Sequence, residues 1–266
     1  MGAFTNRTAL VTGGSKGIGY HIARHLAREG ATIVLVARGA EELERATAEI
    51  SAEFGVPTSY IAADLSAREG VSTLIDTVRS RDITVDILTN NAGFGIYDVY
   101  ENIDADAEAN MVGVNVAALT RITREFVPGM VARRWGGVIN ISSILGYAGS
   151  PYMSTYGATK AYVLSFTEAL WYETRRTGLK VTAVCPGPAE TEFFDVAQNR
   201  REVMVGGILS VDDVMRTTFD ALDRTATPPH VVSGVRNMVL TRLSVLSPRK
   251  AVVATIGRIN NPGRKR

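Results

Sequence analysis

The chain has 266 residues, 45% apolar and 21% charged, with a formal charge of +2; this fits an ordinary globular domain and excludes a disordered or fibrous chain. The charge is unevenly placed. Residues 1–223 hold 20 Lys or Arg against 27 Asp or Glu, and the residues after Asp223 hold nine Lys or Arg and no acid, so the acidic body argues against a nucleic-acid partner.

A single cysteine, Cys185, rules out an intrachain disulfide. No apolar run reaches the roughly 18–20 residues of a membrane span, and the first residues lack the succession expected of a secretory signal. A reducing, cytoplasmic setting is expected.

Short runs rich in β-branched residues alternate with stretches of helical period. In chain order, TALVT precedes a helix over 17–29, TIVLVA one over 40–54, TSYIAA one over 67–80 and VDILTN a long one over 104–133. GGVINIS then precedes 154–177, and LKVTAVC a less regular segment and a helix near 211–223. Strands separated by helices require right-handed parallel crossovers, which predicts an α/β, doubly wound parallel sheet covered on both faces, three layers in all. Ligands bind beyond the carboxyl ends of such strands.

The unusual residues fall there. After the first strand, TGGSKGIG places Gly13, Gly17 and Gly19 before a helix, where glycines admit positive φ and let backbone N–H groups approach a diphosphate at the helix N-terminus. The second strand ends at Arg38, where a cofactor lacking a 2′-phosphate usually meets an acid. Arg38 and Lys16 instead offer donors to a phosphate dianion, favouring NADP over NAD.

Asp64 and Leu65 follow the third strand, where Asp64 can accept from an adenine amino group or simply shape a turn. Asn90, Asn91, Ala92 and Gly93 follow the fourth, a small-residue edge against which a ribose or flat ring can lie. Ser143 closes the fifth, thirteen residues before Tyr156, and Tyr156 and Lys160 share one helix face at i and i+4. A phenol ionises near ~10, and a neighbouring ammonium together with an oxidised nicotinamide would pull it down toward use in proton transfer.

Taken together, TGGSKGIG, NNAG, NISS, YGATK and PGPAET resemble, in order and spacing over about residues 6–235, the classical short-chain dehydrogenase/reductase family, in its NADP-preferring branch with PGPxxT. The resemblance implies a Rossmann-type fold, a nicotinamide cofactor, and a catalytic Ser143, Tyr156 and Lys160 joined by Asn115, which by the same resemblance kinks the long helix over 104–133 and which reads from sequence as an ordinary interior Asn. It extends cofactor contacts to Ser15, Ile18, Pro186, Gly187 and Thr191, besides Gly13, Lys16, Gly17, Gly19, Arg38, Asp64, Leu65, Asn91, Ala92, Gly93, Tyr156 and Lys160. It places a substrate lid around 190–210, within a domain of residues 1–235 extended by a basic segment, 236–266. No metal is expected: His21 and His25 read as surface positions of the first helix, and His230 is remote in sequence.

The expected reaction interconverts a carbonyl and a secondary alcohol. Phe94, Ile96, Tyr97, Leu145, Tyr147, Met153, Phe193 and Phe194 are candidates for an apolar pocket suited to a fatty acyl, steroid-like or aromatic substrate. Alternatives are a non-catalytic NADP-binding regulator of the same fold and an epimerase or dehydratase relative. A homodimer or homotetramer through the helices around 104–133 and 154–177 is implied. The basic tail reads as a solvated, partly frayed end, or as a surface for a membrane or a neighbouring subunit.

Overall fold

The computed structural model describes residues 2–189 and 208–261. Seven strands, β1 (Thr8–Thr12), β2 (Thr32–Ala37), β3 (Thr58–Ala62), β4 (Ile87–Asn90), β5 (Gly136–Ile141), β6 (Leu179–Cys185) and β7 (His230–Val232), form one sheet. Every pairing is parallel and the order is β3-β2-β1-β4-β5-β6-β7. The chain winds outward from β1 to β3, then returns to lay β4 against β1. That reversal opens a crevice between the ends of β1 and β4.

Helices α1 (Gly17–Arg28), α2 (Ala40–Phe54), α3 (Arg68–Ser80), α4 (Ala105–Val112), α5 (Leu119–Arg133), α6 (Ser154–Thr174), α7 (Val211–Asp223), α8 (Val235–Leu246) and α9 (Arg249–Asn260) complete the described fold. Successive strand residues point to opposite faces, and the two cores divide accordingly. Ala9, Val11, Ile33 and Leu35 pack with Ile22 and Leu26 of α1, Ile50 of α2 and Phe219 of α7. Leu10, Val34, Val36 and Val138 pack with Leu74 of α3 and Ile122 and Met130 of α5. Both strand faces are apolar because both are covered, as expected for a parallel sheet.

The long helix expected over 104–133 is distorted at Asn115, where the resemblance implies a kink: a π turn at Gly113–Ala118 separates α4 from α5, a distortion that recurs at functional sites. Strand β7 extends the sheet beyond the strands expected from sequence, and the described part of the basic segment is helical, as α8 and α9, rather than frayed. A three-residue strand is too short for periodicity to reveal.

Candidate active site

A cleft of about 1080 Å³ lies where the strands end, lined by residues that directly follow β1 to β6. At one end the chain leaves β1 through Gly13 and Gly17, both at positive φ (62° and 59°). A Cβ on Gly13 would sit 2.8 Å from Asn91 Nδ2 and 2.9 Å from Ala92 Cα. Helix α1 starts with no side-chain cap and no acid in its first turn, so its N-terminal amides remain suited to an anion.

The loop is stapled to β4. Asn91 Nδ2 donates to the carbonyls of Thr12 (3.1 Å) and Gly13 (2.9 Å), while Thr12 Oγ1 accepts from Asn91 N and Ala92 N. Thr12 is a positioning residue that the sequence reading passed over, although it opens the TGG motif. Asn90 has a different role: its Nδ2 donates to Thr123 and Asn140 inside the protein.

Beyond the loop, Arg38 and Asp64 line the cleft together with Lys16 and Leu65. Asp64 Oδ1 accepts from Ser66 N (2.9 Å) and Ser66 Oγ (2.8 Å). These bonds hold its carboxyl below the usual range, with a smaller contribution from Arg38. Glu42, not singled out from sequence, also lines this end.

The middle of the cleft holds Ser143, Tyr156 and Lys160, all buried. Ser143 Oγ accepts from Leu145 N and hydrogen-bonds the Tyr156 phenol. Burial raises the phenol above its ordinary value of 10.0, and the Ser143 hydrogen bond offsets only part of the rise. Lys160 Nζ lies 5.6 Å from the Tyr156 ring centroid and donates to Ile141 O (2.8 Å), so desolvation dominates at the phenol.

Burial also lowers Lys160, from 10.5 to about 8. The unfolded chain therefore holds this proton through a window in which the folded protein has lost it, and stability from this group increases with pH from about 8 toward 10.5. Urea unfolding at the two ends of that window is expected to show the wild type gaining on Lys160→Met by up to roughly 3 kcal/mol. An unchanged difference would contradict the assignment.

Asn115 sits behind the cleft in the π turn. Its Oδ1 accepts from Phe94 N (3.1 Å), and its Nδ2 donates to Phe94 O and Thr159 Oγ1 (3.0 Å each). Thr159 Oγ1 in turn donates to Tyr156 O. Asn115 thus ties the loop after β4 to the helix carrying Tyr156. A Cβ on Gly93 would meet Asn115 Oδ1 at 2.8 Å, which accounts for the glycine.

Phe94, Tyr97, Leu145 and Met153 line the cleft as well, as do Pro186 and Gly187. Gly19 lies beneath the loop, and Ile96 packs behind Phe94 and Met153. Tyr147 turns away, packing with Leu164 and Cys185 instead of the cleft. Thr191, Phe193 and Phe194, and most of the expected lid, lie outside the described residues.

Two further assignments concern histidines. His25 stacks on Phe219 and His230 pairs with Glu168 at 2.7 Å. The sequence reading missed α8 and α9 as walls: Val252, Thr255, Ile256 and Ile259, spaced as one helix face, complete the apolar end.

A family model described as short chain dehydrogenase matches residues 7–202. Among curated proteins, the chain is 38% identical over 183 residues to hydroxysteroid dehydrogenase-like protein 1 of Gallus gallus, covering 68% of this chain and 55% of that one. The chain thus spans about half the length of that relative. It is 30% identical over 243 residues to the ketoacyl reductase HetN of Nostoc sp., covering 91% and 84% of the two chains. Among solved structures, a short-chain dehydrogenase from Sphingobium yanoikuyae in complex with NADPH superposes with a TM-score of 0.80 at 29% identity, covering 98% of both chains.

Proposed function

The chain belongs to the short chain dehydrogenase family, and from that premise we propose that it is an NADP(H)-dependent oxidoreductase interconverting a carbonyl and a secondary alcohol on a hydrophobic substrate. The observation that carries this reading is the Tyr156 phenol, hydrogen-bonded to Ser143 beside buried Lys160, in a cleft whose far end presents Arg38 and Lys16. The NADPH complex of the Sphingobium relative supports the cofactor.

The residues fit such a cofactor. The Gly13–Ile18 loop and the uncapped α1 would hold the diphosphate, Arg38 and Lys16 a 2′-phosphate, and Asp64 and Leu65 the adenine. Asn91, Ala92, Gly93 and Lys160 would hold the nicotinamide ribose, and Pro186, Gly187 and Thr191 the carboxamide. When bound, the nicotinamide supplies a hydride to a carbonyl carbon or takes one from an alcohol.

The chain's own work is proton transfer. Tyr156, kept protonated by burial, gives its proton to the carbonyl oxygen in the reductive direction, and Ser143 holds that oxygen. The Lys160 ammonium stabilises the phenolate that remains. Asn115 acts as a positioning residue through Phe94 and Thr159.

The apolar end of the cleft supports a fatty acyl, steroid-like or aromatic substrate. Exposed Val112 at the end of α4 and exposed Tyr162 on α6 support a homodimer or homotetramer through those helices. Light scattering is expected to give a multiple of the 28.6 kDa chain mass; a monomer mass would contradict this assembly.

Cofactor choice tests the reading. NADPH is expected to bind at least about tenfold more tightly than NADH, and Arg38→Leu to remove most of that difference, since hydrogen bonds to charged groups contribute about 1.5–3 kcal/mol. Equal affinities in the wild type would reject the assignment of Arg38.

A further inference from the structure

Helix α8 is inverted. It buries Asn237 and Thr241 and leaves Val235, Leu243 and Leu246 exposed at 73%, 55% and 84%. At 100° per residue, Val235, Val239, Leu243 and Leu246 fall on the side opposite the buried pair, with Arg236 and Arg242 at its two margins. Six of the eleven exposed large apolar side chains among the described residues lie on this one helix, and no other element carries more than two. An apolar patch so concentrated and rimmed by polar groups marks a contact surface.

The charge around the patch points to its occupant. Arg236 and Arg242 on α8 and Arg249, Lys250 and Arg258 on α9 are exposed, and no acid follows Asp223 in the sequence. A two-fold contact of the patch with its copy would set these cations against one another with no acid from the same segment to offset them. An anionic lipid surface complements both features: hydrocarbon receives the Val and Leu side chains, and headgroup phosphates receive the flanking arginines.

We propose that the outer face of α8, with the cations of α9, docks this protein on an anionic lipid bilayer. The contact is interfacial, because no described helix is long and apolar enough to cross a membrane. Leu240, Leu243, Ser244 and Ser247 belong both to this region and to the lining of the cleft. Docking therefore sets the mouth of the cleft at the lipid boundary, where an apolar substrate partitions. The surface itself does not rest on the proposed reaction, and its test uses no substrate.

The full chain is floated with vesicles of phosphatidylcholine alone and of phosphatidylcholine with phosphatidylglycerol, at low and high salt. Flotation is expected with the anionic vesicles at low salt and little with phosphatidylcholine alone. Val239→Gln with Leu246→Gln, neither of which lines the cleft, is expected to lower binding more than about tenfold. Arg236→Gln with Arg242→Gln is expected to lower it roughly 25-fold, at about fivefold per cation. Circular dichroism and NADPH affinity matching the wild type establish that the variants are folded.

Absence of flotation with anionic vesicles would overturn the proposal. So would flotation untouched by either pair of substitutions. A drop in oligomer mass in Val239→Gln/Leu246→Gln, without vesicle binding by the wild type, would assign the face to a subunit contact instead.

Discussion

Replacing Tyr156 by Phe is expected to lower turnover about a thousandfold while changing NADPH affinity by less than about threefold. The substitution keeps the ring that packs against Met111 and Met153 and removes only the hydroxyl. Positioned general acids contribute about 10²–10⁴ in rate, or about 4 kcal/mol of barrier at the middle of that range. The hydrogen bond lost with Ser143 costs only about 1 kcal/mol of stability, so the variant folds. Turnover within about tenfold of wild type would move the acid role to another group.

A second large effect is expected from Gly19→Ala. A Cβ there would lie 2.4 Å from both Asn91 Nδ2 and Gly13 O. The Asn91 side chain can move, but the Gly13 carbonyl is part of the loop that would hold the diphosphate and accepts from Asn91. The methyl group therefore displaces both the loop and its staple. NADPH affinity is expected to fall more than about a hundredfold, equivalent to roughly 2.7 kcal/mol, and stability by about 1–3 kcal/mol from overpacking.

Gly55→Ala is the control. Gly55 is left-handed at φ 68° but has nothing within 4 Å of its Cβ position, so only the backbone cost of about 1–2 kcal/mol applies. Its NADPH affinity is expected to stay at the wild-type level. Equal loss of NADPH binding in both variants would show that steric crowding at Gly19 is not the cause.

The parts of the site that could be read from the chain are those whose position follows from topology. Gly13, Arg38, Asp64, Asn91 and Ser143 come straight after strands, and ligand groups in this architecture gather at strand ends. Tyr156 and Lys160 were legible as one helix face. Asn115 was not: its amide acts on Phe94 and Thr159, far away in sequence, from a π turn that no spacing in GVNVAA announces. It entered only through resemblance to a family.

Tyr147 shows the opposite failure. An aromatic four residues after Ser143 suggested the pocket, but the short turn Ile144–Gly146 redirects it onto Cys185 and Leu164. The upward push of burial on the phenol was not legible either, since a sequence places Lys160 near Tyr156 but does not state how dry the site is. The order of the basic segment was not legible for another reason: Val235, Val239, Leu243 and Leu246 recur at helical spacing, but α8 turns that stripe outward and buries the polar pair Asn237 and Thr241 instead.

The proposed reaction passes a hydride between NADP(H) and a carbonyl under proton control by Tyr156. Its most direct test is to incubate the protein with NADPH deuterated at the transferable position and a panel of hydrophobic ketones, and to follow the label by mass spectrometry. An alcohol carrying deuterium on its carbinol carbon is expected, formed by the wild type and nearly lost in Tyr156→Phe. Tight NADPH binding with no labelled alcohol across the panel would contradict it and favour a non-catalytic NADP-binding protein of the same fold.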